Sequence, residues 1–196
     1  LSLHDALPIL TSSVSICSNA LLALGAHPIN DFDEDTDHAR LCANLYPTVR
    51  NKLLRAHPWN CAIKRVVLSP VSAAPVFGYG YQFSLPGDLI RVLSVGEPRD
   101  DIDYRIEGSR LLANIDVIRL RYIFRNEDES TWDAALVDVA EMTMQSKLAY
   151  AVTGSTSLRD SLTQEAAFLL KQAKAVDGQE DPPEELGGYP TYESRF

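Results

Sequence analysis

The hydrophobic period of this 196-residue chain changes twice, and that constrains its fold more than any motif does. Between Asp37 and Ala56 apolar side chains recur every four residues, at Leu41, Leu45, Val49 and Leu53, which is the spacing of one helix face. From Cys61 to Arg125 the period falls to two. AIKRVVLSP, YQFSLP, LIRVLSV, YRIEG, RLLAN and VIRLRYIFR are short, β-branched or aromatic, and separated by Pro, Gly, Asp and Asn. Beyond Thr131 the helical spacing returns. A chain that reads helix, then short strands, then helix is expected to be α+β. Both ends would build a helical bundle, with a central β-rich insertion of short antiparallel strands.

Local signals place the boundaries. Residues 10–60 are expected to hold the N-terminal helices, 61–125 the β-rich insertion, 126–178 two C-terminal helices, and 179–196 an acidic Pro/Gly-rich tail, the whole forming one structural domain. VSICSNALLAL (14–24) stops at Gly25, a good helix terminator. Thr36 is the expected N-cap of the 37–56 helix, Pro47 should kink or divide it, and HPWN ends it. In VIRLRYIFR, Ile118, Leu120, Tyr122 and Phe124 fall on one face and Arg119, Arg121 and Arg125 on the other. YRIEGSRLLAN reads as a hairpin turning at Glu107-Gly108-Ser109. The third helix is expected from Thr131, with Trp132, Leu136, Val139 and Thr143 on one stripe and Val137, Ala140, Met144 and Leu148 beside it. So wide an apolar face suits a helix packed on two sides. TGSTS breaks it, and Leu158, Leu162, Ala166, Leu169, Ala173 and Val176 mark a fourth helix.

A hydrophobic content of 45% is enough for a core, and no apolar run nears the roughly 20 residues of a membrane span. The net charge of −9 is unevenly spread. Residues 1–39 hold six acids and no Lys or Arg; residues 40–125 hold thirteen bases against seven acids; residues 126–196 hold fourteen acids against five bases. A basic middle between acidic ends can pair within the chain or meet a neighbouring copy. Cys17, Cys42 and Cys61 sit among apolar residues without a CxxC spacing and read as buried free thiols of a reducing compartment.

No residue set specifies a catalytic or metal site. DFDEDTD (31–37) alternates acids, but an EF-hand loop from Asp31 would need Gly at position 36 and Glu at 42, where Thr36 and Cys42 stand. His27, His38 and His57 share no zinc spacing. GYG (78–80) lacks the following helix that a phosphate cradle needs. His57 with Ser69 or Ser84 makes a triad on paper only. The arginine row 119, 121 and 125 has three readings: a solvated strand face, an interface with acids of another subunit, or a nucleic-acid surface. The acidic balance and the lack of a stacking platform argue against the last.

LCANLYPTVRNKLLRAHPWNCAIKRVVLSP (41–70) resembles the tail tubular protein A family, the head-to-tail adaptors of short-tailed phages. YQFSLPGDLIRVLSV (81–95), YRIEGSRLLAN (104–114), IRLRYIFR (118–125) and LAYAVTGSTSL (148–158) follow in the same order, so the similarity spans about residues 14–178. The resemblance implies a non-enzymatic virion protein, assembled in the host cytoplasm. It would form a twelve-subunit homo-oligomeric ring between the portal protein and the tail nozzle protein. Phage DNA would pass through the lumen without specific binding, with no cofactor, metal or membrane involved. Arg119, Arg121 and Arg125 are then subunit-interface candidates, and Tyr189, Tyr192 and Phe196 would dock the tail on a partner. LSLHDALPI (1–9) matches a translated sequencing adapter, so the genuine chain is expected to begin near Leu10. The alternatives are a tail-associated hydrolase acting on surface polysaccharide, which would need two carboxylates at fixed separation, and a free-standing DNA-binding module, which a pI near 4.9 disfavours.

Overall fold

Each helix starts and stops where side chains can satisfy the backbone groups its ends leave unpaired. In a computed structural model, which describes residues 11–98 and 100–180, α1 (Ser13–Ala23) opens with a reciprocal cap. The Ser15 N–H donates to Ser12 Oγ at 3.1 Å and the Ser12 N–H to Ser15 Oγ at 2.8 Å. The helix closes at Gly25, whose φ of +77° is open to glycine at no steric cost. The N–H groups of Gly25 and Ala26 then return to the carbonyls of Leu22 and Leu21. α2 (Asp37–Ala56) is capped by Thr36, as expected. Pro47 does not divide it. The proline lies on the exposed side, where water can take up the carbonyl it leaves free, while Cys42, Tyr46, Val49 and Leu53 anchor both halves in the core.

After α2 a short 3-10 turn (Asn60–Ala62) leads into six strands: β1 (Ile63–Leu68), β2 (Tyr81–Ser84), β3 (Leu89–Val95), β4 (Tyr104–Glu107), β5 (Arg110–Ala113) and β6 (Ile118–Phe124). They form two three-stranded antiparallel sheets, ordered β1-β6-β3 and β2-β5-β4. The β4–β5 hairpin turns at Gly108-Ser109, with Glu107 opposite Arg110. β6, the last of these six, is the centre of the first sheet. β3 is not a strict alternation, since its register against β6 shifts twice, at Ile90 and Leu93. The bulges turn those two side chains toward the helices, while Leu89 and Val92 pack between the sheets.

α3 (Ala134–Thr153) begins later than its stripe suggests. Glu129–Thr131 is a separate 3-10 turn, held by Asn126 Nδ2, which donates at 2.8 Å to both the Cys61 carbonyl and Thr131 Oγ1. Trp132 is buried but lies outside the helix, and Asp133 is the N-cap. Both expected stripes of α3 are covered, by α1 and α2 on one side and by α4 (Thr156–Glu180) on the other. On α4 the buried line runs Ala166, Ala173, Asp177, with Leu169 and Leu170 beside it. Leu158 and Val176, expected on the stripe, are exposed.

The described residues thus form three layers. Helices cover one side of the first sheet through Trp59, Leu136, Met144, Ile123 and their neighbours. The second sheet covers its other side through Phe83, Leu111, Ala113, Ile118, Leu120 and Tyr122.

Candidate functional site

The helical layer covers only part of the first sheet, and the remainder of that face carries Arg65, Arg119 and Arg121 beside Val67 and Ser94. On β6, Ile123 points into the helical core, Arg121 stands two residues back, and Arg119 two further. The register with β1 sets Arg121 opposite Arg65 and Arg119 opposite Val67; the register with β3 sets Arg121 opposite Ser94 and Ile123 opposite Arg91. Arg65, Arg119 and Arg121 line one side of an open hollow of about 830 Å³, rimmed by Gly96, Glu97 and Asp100. The rim is a fixed turn. Gly96 donates its N–H to the Arg119 carbonyl at 2.7 Å, and the Glu97 N–H donates to Asp100 Oδ2 at 2.7 Å. At φ +89° a Cβ on Gly96 would stand 2.5 Å from Ile102 Cδ1, so only glycine fits there.

Charge on this face is poorly compensated. Arg119 Nε lies 3.2 Å from Glu97 Oε1, with both side chains largely in solvent. Among the described residues Arg65, Arg91 and Arg121 have no carboxylate within ion-pair distance. The Nε atoms of Arg91 and Arg121 are buried with no hydrogen-bond partner. Like charges directly opposite one another on a sheet, as at Arg65 and Arg121, repel.

The arginine row read from β6 is therefore split. Arg119 and Arg121 belong to this face, whereas Arg125 lies past the buried Ile123, exposed, with its Nε 3.5 Å from Glu127 Oε1. Arg65 and Arg91 are the companions that sequence reasoning missed. Alternation within IKRVVL and LIRVLSV could place each on a face, but the pairing that joins them to β6 is non-local. Tyr189, Tyr192 and Phe196, together with residues 1–9, lie outside the described residues.

The other polar clusters tie the layers together. Asp88 accepts from Lys64 Nζ at 2.9 Å and from the Tyr122 hydroxyl at 3.1 Å, and the Lys64 ammonium sits 3.8 Å from the centre of the Phe124 ring. Burial works against ionised Asp88, but the bonds from Lys64 and Tyr122 outweigh it and hold the carboxyl below its usual value. Burial first, and the Asp88 bond second, push Tyr122 up to about 12. His57 Nε2 meets Asp177 Oδ2 at 2.9 Å, and the backbone N–H of Asn60 donates to the other carboxylate oxygen at 3.2 Å. His57 therefore spends its acid partner on clasping α4 to the end of α2, while Ser84 sits on the second sheet opposite Arg110. Cys17 and Cys42 meet in the helical core as free thiols; donation of its S–H to Cys42, and burial, raise Cys17. Cys61, also free, is pushed up to about 11 by burial.

In the acidic loop, Asp31 Oδ1 accepts from the Asp33 N–H and Glu34 Oε1 from the Asn30 N–H, while Arg40 pairs with Asp35 and Asp37. Among the described residues no group of His, Cys, Asp and Glu side chains is gathered to hold a metal, and no helix is long and apolar enough to cross a membrane. No protein family matches the chain, and no curated protein is significantly similar to it.

Proposed function

We propose that this chain is a structural head-to-tail adaptor of a short-tailed phage, one subunit of a ring that joins the portal to the tail nozzle and surrounds the path of the genome. The observation that carries the reading is the ordered resemblance across residues 14–178. Its segments coincide with successive folded units: α2 into β1, β2 into β3, the β4–β5 hairpin, β6, and the α3–α4 corner. Supporting it, the sheet face built by Arg65, Arg119 and Arg121 is left without enough acids of its own, as suits a surface that another subunit completes. The net charge of −9 suits a conduit, because a surplus of acids facing DNA repels its phosphates and lets it slide.

The test is negative-stain imaging of the chain mixed with the portal protein encoded in the same genome, at low ionic strength. A collar of added density on the portal rings is the expected result. Bare portals beside free protein would overturn the reading.

A further inference from the structure

We infer that the arginine face of the first sheet is one half of a head-to-tail contact, and that its occupant is the Asp31–Asp37 loop of a second copy of this chain. The inference rests on the adaptor reading only for closure into a ring; the contact itself is argued from charge and position.

Arg65, Arg119 and Arg121 share one hollow, two of them directly opposite each other, and Glu97 alone among the described residues pairs with any of them. A fold that leaves guanidiniums this close, with the Nε of Arg121 buried and unbonded, is electrostatically incomplete until an anion arrives. The complementary feature lies on the same chain. Asp31, Asp33, Glu34, Asp35 and Asp37 put five carboxylates into seven residues, and among the described residues Arg40 is the one cation that an ion pair ties to them. Asp35 and Asp37 each have side chains 92% exposed.

These two features cannot neutralise each other within one molecule. The acidic loop precedes the N-terminus of α2. The other end of α2 meets the first sheet, where Arg55 donates to the Ile90 carbonyl at 2.6 Å. Twenty helical residues separate the two ends by roughly 30 Å. A molecule with an acidic end and a basic face so placed makes a heterologous contact, in which each copy offers its loop to the next and its sheet to the previous one. The face suits peptide carboxylates better than a nucleic-acid backbone. Val67, 63% exposed, gives it an apolar centre that a peptide can cover and a run of phosphates cannot.

The experiment is a charge exchange on the full chain, with self-association followed by sedimentation velocity at low ionic strength. The variant R119E/R121E has two acidic surfaces and D33K/D35K two basic ones. Each alone should associate on the order of tenfold or more weakly than wild type, since like charges then face each other across the contact. Mixed in equal amounts, the two should associate again, because each loop finds an opposite face on the other variant. A wild-type chain that stays monomeric, an R119E/R121E variant that assembles normally, or a mixture that fails to recover would each overturn the inference. Circular dichroism melting of each variant separates lost contact from lost fold. A collar on the portal formed equally well by R119E/R121E would leave the adaptor reading standing and remove this seam. Wild-type association without a collar would do the reverse.

Discussion

The two ends of β6 lie on the same sheet yet live in different environments. At Ile123 the strand is closed on both faces, by helices on one side and by the second sheet on the other. At Arg119 and Arg121 the second sheet still covers one face through Leu120 and Ile118, but the opposite face carries charge and open space. The contrast extends to the layers. The helical layer buries Trp59, Tyr46, Leu54 and Leu136 and leaves Leu22, Tyr150, Phe168 and Val176 on its outer surface. The β-rich region leaves Val67, Val76, Phe77, Tyr81, Tyr104 and Ile106 exposed. A region that closes on itself supplies stability; one that leaves both arginine and apolar surface uncovered is where the proposed contact is placed.

The largest effect should come from breaking the closed half. Trp59 is 1% exposed and its Nε1 donates to the Leu53 carbonyl at 2.9 Å. Trp59→Ala should cost about 3–5 kcal/mol and unfold the chain in one transition, read by denaturant melts. Phe83→Ala removes a side chain of similar burial from the space between the sheets and should cost a comparable amount. Its loss should appear differently: amide exchange should rise across β2, β4 and β5 while α1 to α3 keep their protection. Equal loss of protection everywhere would mean that the layers fold as one unit and that the contrast drawn above is false.

A smaller effect tests the clasp between α4 and the end of α2. Asp177 is 5% exposed and bonded to both His57 and Asn60, so Asp177→Ala should cost about 1–3 kcal/mol and loosen the last turns of α4 first. The smallest concerns Asp88. Its carboxyl is held low in the folded chain, so its contribution to stability is present above the unfolded value near 4 and is lost as pH falls through the folded value. Asp88→Asn should cost about 0.5–1 kcal/mol at neutral pH, because solvent reaches both Asp88 and Lys64, and the gap from wild type should close in acid. A gap that persists below the folded value would assign the role to shape rather than charge.

Which of these features can be read from the chain follows from how far apart the partners lie. The cap at Thr36, the stop at Gly25, the turn at Gly108 and the alternation of β6 are each decided within a few residues, and each stands where the pattern puts it. Trp132 fits the helical stripe by spacing but is held outside α3, because Asn126 spends its side chain on Cys61 and Thr131. Asp177 could not be singled out among the acids of the C-terminal segment, since its partner His57 is 120 residues away. The candidate face was half legible: Arg119 and Arg121 belong together by alternation alone, but nothing local separates Arg125 from them.

By itself the sequence determined the order and type of the elements, because hydrophobic period, capping and turn chemistry act over one or two turns of chain. It also carries the uneven charge, a matter of counting. Only the tertiary structure decided that β6 would lie between β1 and β3, that bulges would send Ile90 and Leu93 toward the helices, and that Arg65 would stand opposite Arg121. Those outcomes depend on which strands pair and in what register. Pairing is settled by burying both faces of one sheet at once, a condition no short segment can express.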